Sequence, residues 1–151
     1  MTEAESAPRT FTEAEFRHML TLEVLRCTRY QDFLSLCLIR ATGPGIEGAD
    51  LGDGIRRYIA DMLRSTDFVG SIGQDVAVLL VHTPESDTSL IADRIRDRVR
   101  KMLTSTSGAG GRAAISPESS RLDVRLGFAC FPTDGTSDDA LLAHAAARLL
   151  E

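Results

Sequence analysis

The stretch that most restricts the fold of this chain runs from Arg64 to Val81. Phe68 to Ile72 is one apolar run, Val76 to Val81 is a second, and Gly73, Gln74 and Asp75 stand between them. Glycine takes a positive φ at little steric cost and Asp tolerates turn conformations, so the spacing predicts a hairpin with its tip at these three residues. Arg64 and Asp67 precede the first of these strands, at the end of a predicted helix.

The flanking segments supply the other elements. Phe11, Phe16, Met19, Leu20, Val24 and Leu25 recur at helical spacing, which predicts a helix ending near Tyr30. Thr10 or Thr12 can cap it, with Glu13 or Glu15 three residues on. His18 falls near its apolar face. Phe33 to Ala41 is an almost unbroken apolar run, too short for a typical helix, and predicts a central strand covered on both faces. Thr42 to Gly48, with three Gly and one Pro, predicts a loop. Asp50 or Asp53 opens a second helix that reaches Arg64–Ser65. A third helix, capped from the Pro84–Ser89 break, buries Leu90, Ile91, Ile95, Val99 and Leu103. Ser105 to Ser120, rich in Gly and Ser, predicts a mobile loop. Leu122 to Phe131 predicts a strand, Pro132 to Gly135 a turn, and Ser137 the cap of a last helix. Strands mixed with helices in this order imply an α+β domain: a mixed sheet of four to five strands with helices on its faces. Residues 1–10 are expected to be a flexible tail, and 11–151 a single domain.

Composition narrows the function. At 151 residues and 43% hydrophobic the chain suits one globular domain, and a net charge of −5 argues against a general nucleic-acid binder. Cys27, Cys37 and Cys130 are scattered and odd in number, which predicts buried thiols in a reducing cytoplasm and neither disulfides nor a zinc site. No apolar run is long enough to cross a membrane, and the acidic N-terminus does not resemble a signal peptide. His82 and His144 have no Cys or carboxylate at ligand spacing, so none of the histidines is assigned to a metal. Gly108 to Gly111 is not followed by Lys-Ser/Thr and is not read as a phosphate loop.

Several of these pieces, taken in order, resemble the GGDEF domain, the diguanylate cyclase module of bacterial signalling. That family has a strand of the type Leu-Leu-Ile-Asp-Ile-Asp, then a helix with Gly-Asp, where this chain has Ser35 to Thr42 and Gly52-Asp53. It then has Arg-x-x-Asp, five residues and the GGDEF signature. Here Arg64-Ser-Thr-Asp67 is followed at that spacing by Gly73-Gln74-Asp75-Val76-Ala77. Ala92 to Arg96 matches the family's Ala-Glu-Arg-Ile-Arg, and Leu126 to Pro132 its late strand. The resemblance covers the chain from about Phe16 to Leu150.

The departures carry the functional expectation. Joining two GTP molecules needs divalent metal held by carboxylates. The resemblance assigns two such acidic positions to the first strand, and they hold Arg40 and Thr42. The second acidic residue of the signature is Val76, its second Gly is Gln74, and Gly43 to Gly48 replaces a longer base- and phosphate-reading segment. Only Asp75 survives, which reads here as a turn residue. The resemblance therefore implies a domain that is not an enzyme and holds no cofactor or metal. Arg-x-x-Asp is different, because in the family it forms an inhibitory site for cyclic di-GMP. A guanidinium can donate two parallel bonds to a guanine edge, a carboxylate can accept from guanine N–H groups, and a second Arg can stack or pair with phosphate. Arg64, Asp67 and Arg94 match those positions, and the implied ligand is cyclic di-GMP. An ordinary helix-end ion pair explains Arg64 and Asp67 as well, and a solvated basic face explains Arg94. The alternative is a module without nucleotide binding, for an unidentified protein partner or a homodimer.

Overall fold

The computed structural model describes residues 10–42, 49–110 and 123–149. In chain order the elements are β1 (Thr10–Phe11), α1 (Glu13–Tyr30), β2 (Leu34–Thr42), α2 (Ala49–Ala60), β3 (Phe68–Ile72), β4 (Asp75–Val81), a 3-10 turn (Glu85–Asp87), α3 (Thr88–Gly110), β5 (Asp123–Phe131) and α4 (Asp138–Leu149). The strands form one sheet in the order β1-β3-β4-β2-β5. β1 runs parallel to β3 and every other neighbour is antiparallel. The expected mixed α+β sheet is what forms.

Alternation along the strands sorts the core into two layers. Leu34, Leu36, Leu38, Ala77, Leu79, Ala129 and Phe131 face one side, where Phe16, Leu20 and Val24 of α1 and Leu141, Ala145 and Leu149 of α4 cover them. Cys37, Ile39, Val76, Val78 and Leu80 face the other, against Ile55 and Ile59 of α2 and Ile95 and Val99 of α3. All seven residues of β4 are buried, and β4 takes the middle of the sheet. The apolar run in β2 is interior, between β4 and β5, but not central. A continuous apolar run reports cover on both faces, not position in the strand order. Two glycines allow close approach: a Cβ on Gly127 would lie 2.1 Å from the Ala145 carbonyl oxygen of α4, and one on Gly70 2.7 Å from that of Phe11.

Local chemistry sets the element ends. Thr12 caps α1 through a full capping box: Glu15 N–H donates to Thr12 Oγ1 (3.2 Å) and Thr12 N–H to Glu15 Oε1 (2.9 Å). Ser137 Oγ accepts from Ala140 N–H and caps α4. The hairpin loop is two residues, with Ile72 paired to Asp75, and Gly73 at φ 60° fills the first loop position, as a II′ turn requires.

Several expectations are corrected. Asp75 is the first residue of β4, not part of the turn. Thr10 belongs to β1, an edge strand too short to leave a periodic signal; residues 1–9 lie outside the described residues. α2 ends at Ala60, because Met62 and Leu63 N–H groups bond back three residues to Ile59 and Ala60 and tighten the chain. α3 continues through 105–110, where a loop was expected, and Thr42, expected to open a loop, is the last residue of β2; the remaining residues of both expected loops, 43–48 and 111–120, lie outside the described residues. Leu25 and Leu90 are exposed, as is His18, because the buried stripe of α1 is Phe16, Leu20, Val24 and Cys27. All three cysteines are free and buried, as expected. Among the described residues no helix is long and apolar enough to cross a membrane.

Candidate functional site

The two ends of β4 carry two different polar arrangements, separated by the strand's length of about 20 Å and lying on opposite faces of the sheet.

At its start stands Asp75. The β2–β4 register runs from Leu34 opposite Val81 to Ile39 opposite Val76. One further step sets Arg40 opposite Asp75. Arg40 donates Nε to Asp75 Oδ1 at 2.7 Å and Nη2 to Asp75 Oδ2 at 3.0 Å, a two-pronged ion pair. The Asp75 side chain is only 8% exposed and that of Arg40 29%. The carboxylate bond holds Arg40 even more firmly protonated than usual. The acidic group that the sequence singled out as retained is thus already neutralised from the neighbouring strand. The sequence pointed to Arg40 only as a missing carboxylate; the pairing becomes visible once the strand register is known. Gln74 is exposed at the hairpin tip, while Val76 and Ala77 are core residues. The backbone of Thr42 pairs with Asp123 of β5.

At the other end of β4, Arg64, Asp67 and Arg94 meet around one groove of about 250 Å³. The α2–β3 connection contributes Arg64 and Asp67, and α3 contributes Arg94 one turn beyond Ile91. Leu63, Leu80, Ile91 and Ile95 give apolar walls, and His82, Thr83 and Asp87 complete the rim. The volume falls just under the ~300–1,000 Å³ of small-molecule clefts. It has room for one planar base.

The two members of the Arg-x-x-Asp pair differ sharply in access. The Asp67 side chain is 2% exposed. It accepts from Arg64 N–H and Nε (both 3.2 Å), from Arg64 Nη2 (3.1 Å) and from Val81 N–H (3.1 Å). Four donors fill the acceptor capacity of a carboxylate. The sequence reading had Asp67 receiving guanine N–H groups, but its oxygens are occupied by the protein's own donors. Its role in this geometry is to orient Arg64. Arg64 also gives Nη2 to the Val81 carbonyl at 2.6 Å and to Thr83 Oγ1 at 3.1 Å. Its side chain stays 57% exposed, and Nη1 makes no hydrogen bond among the described residues. The Asp67 hydrogen bond, with Asp87 nearby, raises the Arg64 pKa further. Arg94 is exposed and makes no ion pair or side-chain hydrogen bond among the described residues.

His82, which had no partner by sequence spacing, pairs through Nδ1 with Asp32, which also receives Arg26 Nη1 at 2.8 Å. Its φ of 59° is left-handed, a turn that directs the chain from β4 into the groove rim. The long separation from Asp32 hides this contact from any local reading. His144 is exposed on α4. Among the described residues no three of His, Cys, Asp or Glu gather in a way that can hold a metal ion.

No protein-family model and no curated protein matches the sequence. Solved structures do match the fold. A DGC protein from Thermotoga maritima superposes with a TM-score of 0.68 at 12% identity, over 94% of this chain and 97% of its own. The GGDEF domain of DgcB from Caulobacter crescentus, solved in complex with c-di-GMP, gives 0.63 at 16% identity, over 96% and 84%. The chain has the GGDEF-domain fold. A third GGDEF-fold neighbour, the diguanylate cyclase SiaD from Pseudomonas aeruginosa in complex with its activator SiaC, gives 0.61 at 21% identity, over 92% of this chain and 53% of its own. The resemblance read from the ordered motifs therefore holds at the level of fold.

Proposed function

We propose that this GGDEF-fold domain is a catalytically inactive receptor for cyclic di-GMP, with the ligand held at the Arg64–Arg94 groove. The observation that carries the proposal is the convergence of Arg64, Asp67 and Arg94 on one groove, while the retained signature carboxylate Asp75 is bound by Arg40. One guanine enters between Leu63 and Ile91, with Arg64 Nη1 donating to its edge. Arg94 stacks on the base or pairs with a phosphate. Asp67 contributes by fixing the direction of Arg64. The cyclic di-GMP complex of the DgcB neighbour supports the ligand class. No metal ion is needed for such binding, because the two arginines supply the positive charge.

Inactivity follows from charge. A magnesium ion brought to Asp75 must displace a guanidinium already making two short bonds to it, and that guanidinium stays tethered nearby as a repelling cation. Purified protein given GTP with magnesium or manganese is expected to form no cyclic di-GMP. Product that disappears on Asp75→Asn substitution would refute this.

Titration calorimetry with cyclic di-GMP tests the receptor reading. A contact set of ~−6 kcal/mol corresponds to a Kd near 40 µM, so ~100 µM ligand should give saturable heat and a thermal shift. A second reading draws on the internal satisfaction of Arg64 and Asp67: the pair acts only as a brace between α2 and β4, and the domain works as a protein-interaction module. The SiaD–SiaC neighbour gives that reading a structural parallel. Absence of heat at that ligand concentration decides for it.

A further inference from the structure

The outward side of α1 has a pattern unlike a simple solvent face. Phe16, Leu20, Val24 and Cys27 bury the inner side, which leaves His18, Leu22, Leu25 and Arg29 on the opposite pole at the 4-3-4 spacing of a helix–helix seam. Leu22 is 45% exposed and Leu25 61%. The charges on this helix separate in the same way. Glu13 pairs with Arg17, and Arg26 with Glu23 and Asp32. Glu15 and Arg29 form no ion pair among the described residues, although Glu15 caps the helix and Arg29 lies over the Tyr30 ring. These two flank the apolar seam, acidic at its N-terminal end and basic at its C-terminal end.

We propose that this face docks a second copy of the same chain, α1 against α1 in antiparallel orientation. With a twofold axis at Leu22, residue i faces residue 44 − i of the other copy. Leu22 then meets Leu22, Leu25 packs between Leu22 and His18 of the other copy, and Arg29 meets Glu15 at both ends. The two unpaired charges find each other, and the helix dipoles oppose. A parallel pair would set Glu15 on Glu15 and Arg29 on Arg29. The seam from Glu15 to Arg29 is about 21 Å long. Its area falls below the ~1,200 Å² of stable specific interfaces, so the association is weak and transient. This inference is independent of nucleotide binding.

Sedimentation equilibrium of the 151-residue protein over ~10 µM to 1 mM tests it. Wild type is expected to move from one toward two times 16.4 kDa. Leu22→Asp should stay monomeric at 1 mM. Glu15→Lys and Arg29→Glu should each weaken dimerisation roughly tenfold or more, since each puts like charges at both ends. An equimolar mixture of these two variants restores opposite charges at both ends and should dimerise about as well as wild type. Melting curves of each variant check folding, and the loss of the Glu15 cap cannot produce rescue on mixing. Monomeric wild type at 1 mM, an unaffected Leu22→Asp variant, or a mixture no tighter than its components would each overturn the proposal.

Discussion

Arg40→Ala is the substitution whose effect the structure specifies most closely. It removes both donors from Asp75, whose side chain is 8% exposed. Hydrogen bonds to charged groups are worth ~1.5–3 kcal/mol each, and stripping one partner from a buried pair costs ~3–5 kcal/mol. Arg40 itself is 29% exposed, so its loss admits some water to the carboxylate. We discount the cost to about 2–3 kcal/mol for that screening. For a domain of this size such a loss lowers Tm by roughly 4–12 °C. Asp75→Asn, which leaves Arg40 free to turn to solvent, should cost only ~1 kcal/mol. The pair Arg40→Ala/Asp75→Asn should therefore be more stable than Arg40→Ala alone, with a coupling of ~1–2 kcal/mol. Urea unfolding followed by circular dichroism measures all four corners of the cycle. A cost under ~0.5 kcal/mol for Arg40→Ala, or strict additivity in the cycle, would refute the view that Arg40 is the counter-ion of Asp75. Arg40→Asp is the informative extension: two adjacent carboxylates should make Tm rise on adding manganese, whereas wild type should not respond.

Other expectations follow from the same geometry. Arg64→Ala should weaken cyclic di-GMP binding roughly 10- to 150-fold, from the ~1.5–3 kcal/mol of a hydrogen bond given by a charged donor; Arg94→Lys should weaken it too, since an ammonium lacks the planar face, and calorimetry reads both. Asp67→Ala should cost affinity and stability together, because Arg64 loses its orientation and the Val81 N–H its acceptor; intact stability would contradict the brace. Gly127→Ala should destabilise by at least ~2 kcal/mol, because the new Cβ meets the Ala145 carbonyl, and a normal melting curve would contradict the packing of α4 on β5. Burial alone would raise the Asp134 carboxyl, but hydrogen bonds from Arg148 and the Cys130 N–H outweigh it and hold the pKa below the ordinary 3.8. That stabilisation is full above the unfolded pKa and is lost as pH falls through the lower folded one, so acid unfolding should set in below about pH 4. Asp134→Asn should flatten the pH dependence there.

The sequence by itself determined what depends on near neighbours. Thr12 with Glu15 and Ser137 with Ala140 cap helices through contacts three residues apart. Gly73 turns the hairpin through its own φ. The apolar runs of β2 and β4 declare burial by composition alone. Even the groove was legible in part, because Arg64 and Asp67 lie three residues apart and the spacing to the hairpin was retained. Tertiary structure decided what depends on register and on distant segments. Only the antiparallel alignment of β2 with β4 brings Arg40 to Asp75, which turns an apparent gap in a metal site into an ion pair. Only the docking of α3 beside the end of β4 brings Arg94 to Arg64, with His82 and Asp87 arriving on the segment that joins β4 to α3. Asp32 reaches His82 across fifty residues. Burial then assigned Asp67 its role: a carboxylate closed off from water and filled by four donors positions its neighbour, where the same residue in the open would accept from a ligand.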